Sequence, residues 1–194
     1  MQTMIDGLIL AGGRSSRMGT DKSGLVLPDG MSLIARAYEL LKVAVNGCVW
    51  VSRSWDYHNG NSYDLCDDEP YAGPLSGIER AMGVSQANYL AVLAVDLPFL
   101  PLNFYSWLLT KWQEPVDALM PRSHDHKQPL AGFWSLQLMP VLQSYRQEGG
   151  RNVQDFLASR RIGWVQVPDS WIVNINTPGD WESCLLRFRP EKGS

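Results

Sequence analysis

The sequence predicts an α/β sandwich on a mainly parallel sheet, and three observations carry that reading. Short apolar runs of four to seven residues alternate with amphipathic stretches of about a dozen. Unusual glycine-rich or acidic loops follow the strongest runs, and no stretch of biased composition interrupts the alternation as a linker. Such alternation implies right-handed crossovers with helices covering both faces of the sheet. With 194 residues, 45% hydrophobic and 19% charged, the chain is about one domain and can bury roughly 70% of its unfolded surface, which excludes wholesale disorder.

Met4–Leu10 reads as a buried strand running straight into the loop from Ala11 to Lys22. Ser32 is placed to cap a helix whose apolar positions Leu33, Ile34, Ala37, Leu40, Leu41 and Val45 keep the helical period as far as Asn46-Gly47. Strands are expected at Cys48–Ser52 and Tyr63–Cys66, then a helix from Pro74, where a missing amide hydrogen is harmless, to Ser85. Tyr89–Val95 is the most apolar strand, followed by a helix over about Leu102–Gln113. The last third is less regular. Strands are expected at Ala118–Met120, Ala131–Trp134, Gly163–Val167 and Ile172–Ile175, with helices at Met139–Gln147 and from an Asn152 cap through Ser159. Thr177-Pro178-Gly179-Asp180 joins a capping residue, a first-turn proline and an acid, so a helix should run from there through Leu186. Arg187–Ser194 is expected to be a loose tail.

Lysine and arginine number 17 against 20 aspartates and glutamates, a net charge of -3, so there is no global basic field to draw in nucleic acid. An anionic ligand must meet local cations instead. The three cysteines, Cys48, Cys66 and Cys184, are far apart with no C-x-x-C pair, which argues against a disulfide framework or thiolate zinc site and fits a reducing cytosol, with the thiols expected as inert core groups. The first apolar run is broken by Asp6 and far shorter than the roughly 20 residues of a membrane span. A soluble chain without an address tag or membrane partner is expected.

In open parallel sheets, ligands sit beyond the carboxyl ends of the strands where the winding reverses. Three loops fall there: Ala11–Lys22, Asp67–Gly77 and Asp96–Pro101. The first combines Gly12 and Gly13 with Arg14, Arg17 and Lys22, so bare backbone amides and fixed cations coincide in a manner suited to a nucleoside triphosphate. It is neither a Walker loop, because Asp21 rather than glycine precedes Lys22-Ser23, nor a G-x-G-x-x-G fingerprint. Asp96, at the end of the strongest strand, supplies a hard oxygen for magnesium. No nucleophile–base pair stands out, as expected of a reaction that relies on positioning and charge neutralisation.

The run Leu10-Ala11-Gly12-Gly13-Arg14-Ser15-Ser16-Arg17-Met18-Gly19-Thr20-Asp21-Lys22 resembles the L-A-G-G-x-x-x-R-M-G-x-D-K signature of nucleotidyltransferases. Taken with Gly73-Pro74-Leu75-Ser76-Gly77, Val95-Asp96-Leu97-Pro98 and Asn174-Ile175-Asn176-Thr177-Pro178, it is similar to the molybdenum cofactor guanylyltransferase family over nearly the whole chain. The resemblance implies a three-layer α/β/α, Rossmann-like nucleotidyltransferase domain over 1–194, with a nucleotide-binding half at about 1–101 and an acceptor-binding half at about 102–186. It further implies a magnesium-dependent transfer of GMP from GTP to the phosphate of molybdopterin, with pyrophosphate released. The cytosol is the implied location, and proteins that supply the cofactor or mature molybdoenzymes are implied as transient partners. Cytidylyl relatives commonly read L-A-A-G, so Gly12-Gly13 favours GTP.

By the same resemblance, Leu10, Ala11, Gly12 and Gly13 contact nucleotide, Lys22 holds phosphate, and Arg17 lies beside the reacting phosphates. Asp67, or Asp68 if the register slips by one, is the acid ahead of the glycine-proline-leucine loop. Asp96 contacts nucleotide and ligates the metal. A family asparagine after the second strand falls at Ser52, whose hydroxyl replaces it in part. Gln128-Pro129-Leu130, Arg151, Asn174 and Asn176 resemble the segments lining the acceptor side. Asn174 and Asn176 share one side of an extended segment by two-residue alternation, so their amides can point jointly at a heterocycle or phosphate; the alternative is local turn bonding before the helix capped by Thr177. The residues leave open another nucleotide or acceptor, of cytidylyl or sugar-phosphate type, and a non-catalytic carrier. His124-Asp125-His126 reads as a solvated turn rather than a metal site. Trp50, Trp107, Trp112 and Trp181 read as core, leaving Trp134 and Trp171 as candidates for stacking on a pterin.

Overall fold

The computed structural model describes residues 3–12, 22–54, 62–67, 72–113 and 115–188. Seven strands form one sheet: β1 (Ile5–Leu10), β2 (Val49–Arg53), β3 (Asp64–Cys66), β4 (Tyr89–Ala94), β5 (Ala118–Arg122), β6 (Ala131–Ser135) and β7 (Ile162–Gln166). Their order is β3-β2-β1-β4-β6-β5-β7, and β6 alone runs antiparallel to its neighbours β4 and β5. The reversal follows from the connection: residues 123–130 are too few for the crossover of a dozen or more that a parallel return needs, and an Arg122–Lys127 bridge closes them as a hairpin. The α/β sandwich expected from the sequence is the fold found, with that one reversed strand.

The helices are α1 (Leu33–Lys42), α2 (Pro74–Val84), α3 (Phe104–Leu109), α4 (Met139–Gln147), α5 (Val153–Leu157) and α6 (Pro178–Arg187). Two-residue alternation along the strands sorts the core into two layers. Ile5 and Ile9 of β1, Ala91 and Leu93 of β4, and Ala131 and Phe133 of β6 face α1 and α3. Leu8, Leu90, Val92 and Trp134 face α2, α4 and α5. A smaller cluster of Leu27, Leu33, Ile175 and Cys184 seats α6 beside α1. Ser32 caps α1 by accepting from the Ala35 N–H at 3.3 Å.

Several expectations are corrected. The helix after Ser32 stops at Lys42, because the Asn46 and Gly47 amides donate to the Ile5 carbonyl and carry the chain into β2. The helix expected over 102–113 is confined to Phe104–Leu109, where Thr110 and Lys111 donate three residues back and tighten the last turn. Ile172–Ile175 is not a strand: Ile172 and Ile175 are buried because the segment crosses two apolar clusters, not because it joins the sheet. Of the expected tail, Arg187 closes α6 with its guanidinium 3.7 Å from the Phe99 ring, and Phe188 stacks on Phe99; residues 189–194 lie outside the described residues. Among the cysteines only Cys184 is buried, its thiol pushed up to about 11 chiefly by desolvation, whereas Cys48 is exposed and Cys66 half-buried.

Of the two tryptophans set aside for a pterin, Trp134 is not available to one. Trp134 is fully buried, stacks on Phe156 at 6.1 Å and donates its indole N–H to Pro129 O at 3.2 Å. Trp171 packs edge-on against Phe104 and Trp107. His124 pairs with Asp125 at 2.8 Å on the surface, the solvated turn expected. Among the described residues no helix is long and apolar enough to cross a membrane.

Far from the carboxyl edge, the buried Asp6 ties two connections to β1. Its carboxylate accepts from the Cys48 N–H at 2.8 Å and the Ser85 hydroxyl at 2.6 Å. Asp6→Ala should therefore cost about 3 kcal/mol, read in thermal unfolding as a Tm lower by roughly 10 °C.

Candidate active site

The carboxyl edge of the sheet gathers the sequence-predicted residues around β1 and β4. Leu10 ends β1, where its carbonyl accepts from the Val95 N–H at 3.2 Å, and the Ala11 N–H donates to the Ser52 carbonyl at 3.0 Å. Gly12 then passes so close to β2 that a Cβ there would lie 2.7 Å from the Arg53 carbonyl carbon and the Ser54 nitrogen. Only glycine lets the first loop leave the sheet by this route. Gly13, Arg14 and Arg17 lie outside the described residues, as does Asp68.

The chain resumes at Lys22 in a short 3₁₀ turn over Lys22–Gly24. Lys22 Nζ donates to Ile175 O at 2.8 Å and to Asn176 Oδ1 at 3.1 Å, residues more than 150 positions along the chain. The Ile175 N–H donates in turn to the Asp96 carbonyl at 2.9 Å. Asn174 Oδ1 accepts from Gln128 Nε2 at 2.7 Å. Pro129 and Leu130 carry that glutamine to the end of β4, where the Ala94 N–H donates to Leu130 O at 2.8 Å. One short segment, 174–176, thereby touches the lysine, the Asp96 backbone and the glutamine amide.

The geometry of that segment is fixed from below. Asp180 accepts from the Asn176 and Thr177 amides at 2.9 and 2.8 Å, while Thr177 Oγ1 accepts from the Asp180 N–H at 3.1 Å, completing a capping box on α6. The Asn176 and Thr177 donors, with Lys22 nearby, hold the Asp180 carboxyl below its ordinary range. The capping pattern is visible in the sequence; that the cap also braces the amides of the site is not.

Other predicted residues are placed differently. Ser52 is buried with its hydroxyl against α2, where a Cβ on Gly77 would lie 2.3 Å from Ser52 Oγ, so it brings its backbone carbonyl to the corner and not its side chain. Asp67 follows β3 and donates its N–H to Arg53 O at 3.1 Å. Arg151 is exposed at the α4–α5 turn, donating to the Arg146 and Gly150 carbonyls at 3.1 Å, apart from the network around Lys22. Sequence reasoning missed Arg53, which pairs with Asp64 at 3.0 Å and reaches Ser23 Oγ at 3.4 Å, tying the end of β2 to the turn that carries Lys22. Its place beside the strand-end Ser52 was the available signal.

Asp96 sits just beyond β4, and desolvation raises its pKa above the ordinary carboxyl value while the Lys22 charge and a backbone hydrogen bond pull it down. A desolvated carboxylate beside a lysine is a hard oxygen donor awaiting a charge to neutralise. Among the described residues no group of three or more potential ligands surrounds it. Magnesium suits such a site, because it is commonly held by one or two carboxylates with phosphate oxygens and water completing its shell.

A mainly parallel sheet with Gly12, Lys22, Asp96 and the 174–176 amides at its carboxyl edge is an α/β architecture, and the family match places it in the nucleotidyltransferase class. Residues 7–162 match the MobA-like NTP transferase domain, and the chain belongs to that family. It is 32% identical over 92% of its length, and 97% of the relative's, to a probable molybdenum cofactor guanylyltransferase of Synechococcus elongatus. To the molybdenum cofactor guanylyltransferase of Shewanella sediminis it is 29% identical over 92% of this chain and 94% of that protein. The crystal structure of molybdopterin-guanine dinucleotide biosynthesis protein A from Archaeoglobus fulgidus superposes with a TM-score of 0.75 at 21% identity, covering 94% of this chain and 97% of that one. Rv0371c of Mycobacterium tuberculosis, solved in complex with manganese, shares the fold with a TM-score of 0.71 at 13% identity, covering 95% and 99%.

Because the Asp96 pKa is raised on folding, the folded state binds the proton more tightly than the unfolded one, and stability falls as pH rises through the window between the two values. Asp96→Asn should therefore be more stable than the parent at neutral pH. In urea unfolding, that advantage should shrink as pH is lowered through the carboxyl's own titration.

Proposed function

We propose that this chain transfers GMP from GTP to the phosphate of molybdopterin, giving molybdopterin guanine dinucleotide and pyrophosphate. The observation that carries this reading is the segment 174–176, which joins Lys22 and Asp96 to the Gln128 and Asn174 amides across one corner. The names of the relatives, over nearly the full chain, support guanylyl transfer on a molybdenum cofactor. The Gly12-Gly13 pair of the first loop supports GTP over CTP.

An oxygen of the acceptor phosphate attacks the α-phosphorus of GTP, a new P–O bond forms, and the bond to the α,β-bridging oxygen breaks, its electron pair leaving with pyrophosphate. The acceptor is already an anion, so no side chain need remove a proton from it. The work of the chain is to align two polyanions and offset their charge. Gly12 admits the nucleotide phosphates close to the backbone, Lys22 neutralises phosphate charge, and Arg17 is assigned to the reacting phosphates. Gln128, Asn174 and Asn176 present amides, able both to donate and to accept, to the acceptor. Pro129 holds Gln128 in place through its turn, and Arg151 is assigned to the outer acceptor side. Leu10 and Ala11 line the nucleotide side, with Asp67 at its edge. A magnesium ion held by Asp96 would supply further charge neutralisation on the triphosphate. The reaction is assigned to the cytosol, with a labile cofactor received from one protein and passed to another.

Incubation with GTP, magnesium and molybdopterin should yield a dinucleotide of the expected mass, with CTP, ATP and UTP giving far less. Product from CTP alone would overturn the base assignment. Absence of product beside an active relative would leave a nucleotide or pterin carrier. Asp96→Ala should lower turnover by roughly 100-fold or more while the chain stays folded. Turnover should also fall as pH drops through the raised Asp96 pKa. In Lys22→Met, where the opposing cation is gone, any residual activity should show that acid limb at higher pH.

A further inference from the structure

Arg36 of α1 takes no part in the roles described so far, yet its guanidinium grips the loop that follows Asp96. Its Nε donates to Pro98 O, and its Nη2 donates to Leu100 O at 3.1 Å. Both residues are buried, Leu100 completely, so their carbonyls must find protein donors. The segment itself supplies few, since Pro98 and Pro101 have no N–H. Outside the loop, Phe188 lies 5.2 Å beneath the Arg36 cation and stacks on Phe99 at 5.4 Å. The loop is thus held between α1 and the end of α6.

The same helix is tied to the other side of the corner. The Leu33 N–H, at the first residue of α1, donates to Leu25 O at 2.9 Å, and the Leu25 N–H donates to Lys22 O at 3.0 Å. Arg36 sits one turn further along. We propose that Arg36 is a positioning residue that sets the Asp96 backbone, and with it the carboxylate, in register with Lys22 by ligating the Pro98 and Leu100 carbonyls. Two carbonyls two residues apart call for a planar fork with separate N–H donors; a lysine ammonium is a point charge that satisfies one well. Desolvation lowers the Arg36 pKa while Asp29 and Cys184 raise it, and a guanidinium starts high enough to keep its charge.

This inference rests on the role given to Asp96 under the proposed function, and its test does not need turnover. The Ile175 N–H donates to Asp96 O, so its hydrogen exchange reports whether the Asp96 backbone is in place. In Arg36→Met, exchange at Ile175 should be about tenfold or more faster than in Asp6→Ala, which destabilises the fold from the opposite edge of the sheet. Arg36→Lys should fall between them, and it carries the comparison if Arg36→Met does not fold. With GTP present, Mn2+ binding followed by electron paramagnetic resonance should weaken by about fivefold or more in Arg36→Met and stay unchanged in Asp6→Ala. Ile175 exchange and Mn2+ affinity in the Arg36 variants equal to those of Asp6→Ala would overturn the proposal. Faster exchange and weaker Mn2+ binding in a chain that makes no dinucleotide would leave the positioning role standing and remove the guanylyl assignment instead.

Discussion

The arrangement depends on one hydrogen-bonded join at the carboxyl edge of the sheet. The Ile175 N–H binds the Asp96 carbonyl, and the Ile175 carbonyl receives Lys22 Nζ. Each residue carries one backbone donor and one acceptor, here on the two peptide units that flank Ile175, so a single residue links the acid after β4 to the lysine after β1. Ile175 is fully buried, which holds that peptide in place by packing against Leu27, Leu33 and Cys184. Each net hydrogen bond of this kind contributes only about 1 kcal/mol, so the apolar anchor and the capping box beneath it matter as much as the bonds themselves.

The electrostatics of the corner express the same constraint. Asp96 is half-buried, its desolvation disfavours the ionised form, and Lys22 offsets that cost in part. The lysine meanwhile divides its donors between a backbone carbonyl and the Asn176 amide. A polyanion entering the corner would compete for that ammonium, and a cation would relieve the carboxylate. A site pre-set in this way spends some folding stability on charge readiness, the usual consequence of organising polar groups before the ligand arrives.

The fold was largely legible from residue pattern, because alternation and capping are local. Seven of the eight expected strands are present, and α4 spans the residues expected of it, since its Pro140 and apolar stripe act within a few turns. The failure at Ile172–Ile175 is instructive. An apolar, β-branched run reads as a strand, yet here the burial comes from lying across two clusters rather than from a ladder, and sequence periodicity does not distinguish them. Trp134 shows the same limit: aromatic identity says nothing about which face a neighbour covers, and this ring is fully buried. At Gly12 the structure adds a second reason for glycine that the loop motif does not carry, the close approach of the Arg53 and Ser54 backbone.

By itself, the sequence determined the α/β alternation, the helix caps, the loop that bears the nucleotide signature and the chemical types available at each strand end, all of which depend on residues near one another along the chain. Only the tertiary structure decided that Lys22 meets Asn176, that Gln128 meets Asn174, that Ser52 turns its hydroxyl under α2, and that Arg36 holds the loop beyond Asp96. The hydrogen-bonded pairings among them span from 46 to 154 positions. They are set by strand order and by which face each side chain takes, quantities that appear only once the whole sheet is assembled and its two layers are packed.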